Sequence, residues 1–403
     1  MSHTENPRHR TRLVVVLAIG QIVGWGACFD SLALLGNPIG RDLGLAKEFV
    51  FAGLTVMMAV SAFCGPTLGR ALVRYGARPV LVAGSLLFTI GLAILALSSG
   101  IVSYAVGWLV MGFAGACGLT TAAHTAMVER IGAEGGRMIS LLMIFTGLSG
   151  TVFLPITAYI EHHLGWRCTL AIFACLQFLI ILPLYLLALP ERQQQLSPKP
   201  PEGTVQLATV SASRRHAFLL LAAMTTISVF VSFGLSPLVP SLLLQVGASS
   251  ALALQLASAR GIFAICARGL DFLLGKRGNP FATGMVGSLL FLFSLLVLLG
   301  FGASTPVFVA FMLLFGFGGG VVAVSRAILP LAVFSPQEYG LQAARISLPQ
   351  NLATAAAPLF FTTVLERGGA TFALSLASAL SVVSILLLAL LWRTSRKSTQ
   401  SQP

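Results

Sequence analysis

Charge is what this sequence has least of. Only 9% of the 403 residues are charged, and 12 acidic residues stand against 25 basic ones. So little charge cannot coat several soluble domains, which excludes a soluble multidomain protein. Paired metal ligands are missing as well. The six cysteines (Cys28, Cys64, Cys117, Cys168, Cys175 and Cys266) fall singly in apolar stretches without CxxC spacing, so neither a zinc site nor a disulfide framework is expected. Paired carboxylates within apolar stretches, HExxH, Gly-x-Ser-x-Gly and a phosphate-cradling glycine loop are also absent. That pattern predicts no enzyme, no ATP-driven pump and no cofactor beyond a coupling proton or ion. The net charge of +13 comes from short basic clusters without interleaved aromatics, which fits anionic lipid and not nucleic acid.

What is present is apolar length. Hydrophobic residues make up 56% of the chain, in blocks close to the roughly 20 residues that cross about 30 Å of hydrocarbon. Six blocks fall at about 13–36, 49–69, 79–98, 101–123, 138–160 and 168–189. Six more fall at about 217–244, 251–274, 281–303, 306–333, 341–365 and 370–392. The blocks are continuously apolar, not alternating, so helices are predicted and a barrel is not. Arg8, Arg10 and Arg12 precede a long first block with no cleavage pattern, which reads as an uncleaved first helix. The expected fold is therefore an all-α integral membrane protein of twelve transmembrane helices. Its parts are an N-tail (1–12), a six-helix bundle (13–189), a linker (190–216), a second six-helix bundle (217–392) and a C-tail (393–403).

The breaks between blocks give the orientation. Counting Lys and Arg near block ends, seventeen lie on the side of the tails, the linker and the breaks after blocks 2, 4 and 8, against four (Arg41, Lys47, Arg167 and Arg367) on the other. The positive-inside rule puts both tails and the linker in the cytoplasm. The halves also repeat each other. Gly84-Ser85-Leu86-Leu87-Phe88 recurs at Gly287–Phe291, Gly112-Phe113-Ala114-Gly115 at Gly316–Gly319, and Pro155 at Pro358, with displacements of 203 or 204 residues. Six crossings return each half to its starting side, so the bundles run parallel, related by a pseudo-two-fold axis along the membrane normal.

Between blocks 2 and 3 stands Gly69-Arg70-Ala71-Leu72-Val73-Arg74-Tyr75-Gly76-Ala77-Arg78. This resembles the G-x-L-x-D-R-x-G-x-R loop of the major facilitator superfamily of secondary transporters, and the resemblance covers essentially the whole chain. It implies a monomer that moves a small solute across a bacterial inner membrane by alternating access around a midplane cavity. Val73 replaces the usual Asp. Arg268–Arg277 is a degenerate second copy, with Gly275 and Arg277 matching Gly76 and Arg78. Block 4 has Trp108 where proton-coupled members carry Arg, and block 5 has only Gly147, Gly150 and Pro155 of the antiporter motif. Arg326–Phe334 with Tyr339-Gly340 resembles a bacterial subgroup that includes arsenite exporters.

Charges at depth mark candidate function, since one at a helix centre costs about 2.5 to 3.5 kcal/mol on insertion scales. Arg260 sits about 14 Å into block 8, close to the midplane by helical rise, and either binds an oxyanion bidentately or pairs structurally. Asp30 falls in the outer third of block 1, where it titrates, closes an outer gate with Arg260 or reaches interfacial water. Gln21 and Trp25 share a stripe of block 1, and Gln350 and Asn351 lie halfway along block 11, as cavity contacts or helix contacts. Gly69, Arg74, Gly76, Arg78, His124, Arg268, Asp271 and Arg326 lie toward the cytoplasmic ends and are read as gate residues. Arg268 and Asp271 are spaced to pair on one helical face.

Basic residues at depth favour an anionic or zwitterionic solute such as a small carboxylate. Efflux of a toxic compound, drug-like or arsenite-like, is the alternative, and a receptor that binds without transport is the third reading. The topology has a direct check: Ser197→Cys should label with an impermeant maleimide only from the cytoplasmic face, and labelling from outside would overturn the assigned orientation.

Overall fold

The computed structural model describes residues 7–189, 212–274 and 279–400. Among them every regular element is a helix, and ten are long and apolar enough to cross a membrane. In chain order they are α1 (Arg10–Leu43), α2 (Lys47–Tyr75), α3 (Ala77–Ala96), α4 (Ile101–Ile131), α5 (Gly135–Ala188), α6 (Arg214–Val246), α7 (Ser250–Leu273), α8 (Pro280–Gly300), α9 (Thr305–Val333) and α10 (Pro336–Arg396). The protein is thus an all-helical, multi-pass membrane protein.

Two of these elements are too long for one pass. The 54 residues of α5 would extend about 80 Å as one rod, more than twice the hydrocarbon thickness. It turns at Gly165 (φ 78°, ψ 168°), giving arms 135–164 and 166–188. In the same way α10 turns at Gly369 (φ 72°, ψ 177°). A third such corner, Gly76 (φ 82°, ψ 172°), is the whole connection between α2 and α3. This backbone region is essentially glycine-only. Gly165 and Gly369 are 204 residues apart, and the left-handed helix caps Gly44 and Gly247 are 203 apart. The backbone therefore carries the displacement found in the side chains.

Several boundaries move. Helix continues past the apolar blocks wherever polar residues still favour it, so α1 runs to Leu43 and α4 to Ile131. The expected tails are partly helical, since helix starts at Pro7 and continues to Gln400. Helix also begins at Ala212. Arg214, Arg215 and His216 therefore belong to α6 and not to a linker, and Arg214 pairs with Glu338 at 3.3 Å. Linker residues 190–211 lie outside the described residues, as do Gly275 and Arg277 of the second loop copy.

Three apolar cores hold the bundle. The first is built from residues before 190 joined by Tyr339 and Ala344, with Ala327, Ile328 and Leu331 against it. The second and third contain only residues after 212, at opposite ends of α6–α10. The two halves thus share a core where α9 ends and α10 begins. At the other end the second core, with Leu235, Phe308 and Phe361, includes nothing from the first half. There the first half is tied to itself: Asp42 ion-pairs with Arg167 and accepts from Trp166 Nε1 at 3.1 Å, while Arg167 also donates to the Ser98 carbonyl.

The glycine corners can be tested. Gly165→Ala and Gly369→Ala should each lose about 1–3 kcal/mol of backbone compatibility, seen as lower melting temperatures of purified protein in detergent. Gly100→Ala, where the backbone is extended and nothing lies within 4 Å, should melt like the parent.

Candidate functional site: a mid-helix arginine and a basic seam

Arg260 lies near the middle of α7, and its Nη1 donates to Ser236 Oγ on α6 at 2.9 Å. Ser236 opens a short 3-10 turn with Pro237, where α6 loses its regular ladder. That break is the local reason a hydroxyl points at the guanidinium. Arg260 makes no ion pair among the described residues.

Asp30 closes a π-helical turn, Gly26–Asp30, in α1, a distortion often found at functional positions. It accepts from Ser149 Oγ on α5 at 2.7 Å. The rise from Leu13 puts Asp30 in the outer third. In the structure it lies beside the midpoint of arm 135–164, where Ser149 stands, and α1 continues past it to Leu43. It does not pair with Arg260, so the expected Asp30–Arg260 outer gate is not formed here.

Gly147 and Leu148 interrupt the first arm of α5 just before Ser149. On the other flank of the same interruption, Arg268 Nη1 from α7 donates to the Met143 carbonyl at 2.8 Å. Gly147 makes this possible, since a Cβ there would come within 2.5 Å of that Nη1. One turn further along α7, Asp271 accepts from Ser140 Oγ at 3.3 Å. The spacing of Arg268 and Asp271 predicts a pair on one helix. Instead each reaches across to α5, because a backbone carbonyl and a hydroxyl of the other half lie closer to hand. Arg137 of α5 stacks on Phe272 of α7 at 4.8 Å to complete this seam.

A second seam joins α2 to α10. Added Cβ atoms on Gly65 and Gly69 would lie 2.6 and 3.1 Å from the Ala344 carbonyl and Leu341. Gly340 meets Thr125 of α4, next to the buried His124. On α5, Gly136 meets Ile328 of α9, two residues from Arg326. Arg326 Nε and Nη1, and Arg268 Nε, are buried without hydrogen-bond partners.

Other expected residues fall elsewhere. Gln21 is buried inside the first half and donates to the Gly118 carbonyl at 2.9 Å, a helix contact. Trp25 meets Phe29 edge-on at 5.7 Å. Gln350 and Asn351 are half-buried on α10. Arg74 is exposed and lies over Tyr75 at 5.2 Å. Arg78 donates to the Leu186 carbonyl at a helix end of the first half. Near the Val73 departure, Glu129 accepts from the Ala77 backbone N–H at 3.0 Å and so places a carboxylate at the start of α3. Trp108 packs under Gly53. A small cavity lined by Ser228, Ser232, Ser288, Ser381 and Ser384 lies inside the second half, apart from the arginines. Sequence reasoning missed Ser236, Ser149, Ser140 and Glu129. The one available signal was the Ser-Pro step at 236–237.

Known proteins share this architecture. A family model described as Major Facilitator Superfamily matches residues 17–322. The multidrug resistance protein MdtM of Salmonella typhimurium is 30% identical over 181 residues, covering 44% of this chain and 40% of that protein. MdtM of Escherichia coli K12 is 28% identical over 158 residues, covering 38% and 37%. The matches thus span about two fifths of those relatives. The human organic anion transporter MFSD10 (TETRAN) superposes with a TM-score of 0.77 at 19% identity, covering 94% of this chain and 99% of that one. The proton:xylose symporter XylE bound to 6-bromo-6-deoxy-D-glucose gives 0.75 at 14%, covering 95% and 96%.

The seams predict a wedge experiment. In a background with the native cysteines replaced by alanine, Ser140→Cys should resist an impermeant maleimide applied from the basic side. Adding Gly65→Val, whose side chain meets the Ala344 carbonyl, should make it label at least several-fold faster. Equal rates would mean that the α2–α10 seam does not hold this end closed.

Proposed function

The chain belongs to the Major Facilitator Superfamily of secondary transporters, and on that premise we propose that it carries a small organic anion, bound through a carboxylate at Arg260. In this reading α5 and α10 each cross the membrane twice, so twelve crossings form two six-helix bundles. Both tails and the linker face the cytoplasm of a bacterial cell, and the protein sits in its inner membrane. The core shared by the halves lies at the cytoplasmic end in this orientation, and the core at the other end takes nothing from the first half, which supports an outward-facing carrier.

The observation that carries the substrate class is the state of Arg260. A guanidinium halfway through hydrocarbon is costly, and here it meets a neutral hydroxyl and not a carboxylate. Ser236 fixes one edge of the planar fork and leaves the rest to receive two carboxylate oxygens. On the facing half, Asp30 with Ser149 is the acidic group at comparable depth and is assigned as the site of a coupling proton. Rocking about the midplane then exposes Arg260 to each side in turn.

A second reading, efflux of a toxic compound, is favoured by one observation: the relatives matched over two fifths of their length are named for multidrug resistance. Thermal shift separates the two. Succinate should raise the melting temperature of the wild type. Arg260→Ala should abolish that rise, and Arg260→Lys, which keeps charge without the fork, should retain part of it. Stabilisation by amphipathic drugs or arsenite, with none by succinate, would replace the anion reading with efflux.

A further inference from the structure

We propose that Arg268 and Arg326 form a second oxyanion site at the closed end of the pathway, one whose occupancy releases the seam between the halves. The residues approach from α7 and α9, which lie so close that an added Cβ on Gly316 or Gly320 would come within 3.2 or 2.5 Å of the Arg260 or Ala264 carbonyl. Neither helix can draw back without losing that contact. Both arginines also stand beside arm 135–164 of α5, Arg268 bonding the Met143 carbonyl and Arg326 lying two residues before Ile328, which meets Gly136. Arg326 has Nε and Nη1 buried and unbonded, while Arg268 keeps an unbonded Nε.

Buried like charges without a counterion are among the costliest arrangements in a protein. Among the described residues, the carboxylates near these arginines are engaged elsewhere. Asp271 takes the Ser140 hydroxyl, Glu338 binds Arg214 and Ser335, and Glu129 takes the Ala77 N–H. Three guanidinium nitrogens thus remain for one small ligand with several acceptor oxygens, a carboxylate or a phosphate.

Such an anion also competes for Arg268. The guanidinium bonds to Met143 as a charged donor on a neutral carbonyl, and an anionic acceptor forms the stronger bond. Binding would draw Arg268 off α5 and remove the polar link across the α5–α7 seam. Arg260 and Arg268 are eight residues apart on α7, about 12 Å along the axis. If Arg260 holds the carried anion, Arg268 and Arg326 are where the anion arrives as the inner end opens. That last step rests on the reading of Arg260 given above. The site itself does not.

The test uses the full-length protein carrying Ser140→Cys with its native cysteines replaced, in proteoliposomes whose basic face is reached by the maleimide. Succinate and phosphate are titrated against chloride at matched ionic strength. Either anion should speed labelling. Arg326→Met should raise the half-saturating concentration at least about tenfold, a charge-assisted bond's worth, and should melt above the parent without anion because an uncompensated charge is gone. Arg326→Lys should also respond at least several-fold more weakly than Arg326, and carries the test if the Met variant does not fold. Arg260→Ala should keep the labelling response.

A response in both Arg326 variants equal to the parent's overturns the proposal, as does one that survives in them and vanishes in Arg260→Ala. If Arg326→Met loses the response while Arg260→Ala still binds and carries succinate, the inner site stands and the Arg260 reading falls. A response to phosphate but not succinate also supports the site, with an inorganic oxyanion and not the carried solute as its ligand.

Discussion

A guanidinium laid on a backbone carbonyl holds one side of the molecule together. Arg268 leaves its own helix to reach Met143 on α5. The surroundings make this the available way to satisfy that nitrogen, since apolar side chains offer no acceptor and Asp271 is taken by Ser140. In hydrocarbon each polar group must find its partner inside the protein. A charge that finds only half of one is stable enough to persist and poor enough to be exchanged. The interruption of α5 at Gly147, the absence of a side chain there and the placing of Ser149 beside Asp30 all follow from fitting that contact.

The opposite side is built from different material. Gly65 stands 203 residues before Arg268, and Ala344 about as far after Ser140 and Met143. The α2–α10 seam is thus the repeat counterpart of the α7–α5 seam. One is small residues against backbone, held by dispersion and close approach. The other is charge against carbonyl and hydroxyl. Equivalent positions thus carry opposite chemistry, close packing in one seam and polar contacts in the other. Within the first half, Glu129 and Arg78 tie α3 to α4 and to the end of α5.

Residue order tells much of the scaffold and less of the site, and the division has a physical cause. Block length reports the cost of exposing backbone to lipid, which every crossing shares, so the apolar blocks and the 203-residue displacement are legible in the sequence alone. Arg260 stands out for the same reason: a charge within an apolar block is conspicuous. Its partner Ser236, and those of Asp30 and Asp271, are not, because a serine in an apolar helix bonds its own backbone as readily as a distant side chain. Spacing puts Arg268 and Asp271 on one face correctly. It cannot say that two long side chains find better partners across the seam than beside each other. Gln21 shows the converse, a polar residue whose amide closes a helix contact to Gly118.

Where α5 and α10 turn, there is no loop. Gly165 and Gly369 are single-residue corners, so the arm on one side cannot slide without pushing the arm on the other. Each half therefore turns tightly at its far end, and the two halves are gripped together at the junction where they share a core. A stiff beam gripped at one end is a lever. In such a lever a displacement near Met143, on the scale of one hydrogen bond, would grow toward the corners. Two glycines without side chains thus set the mechanical gain of the molecule.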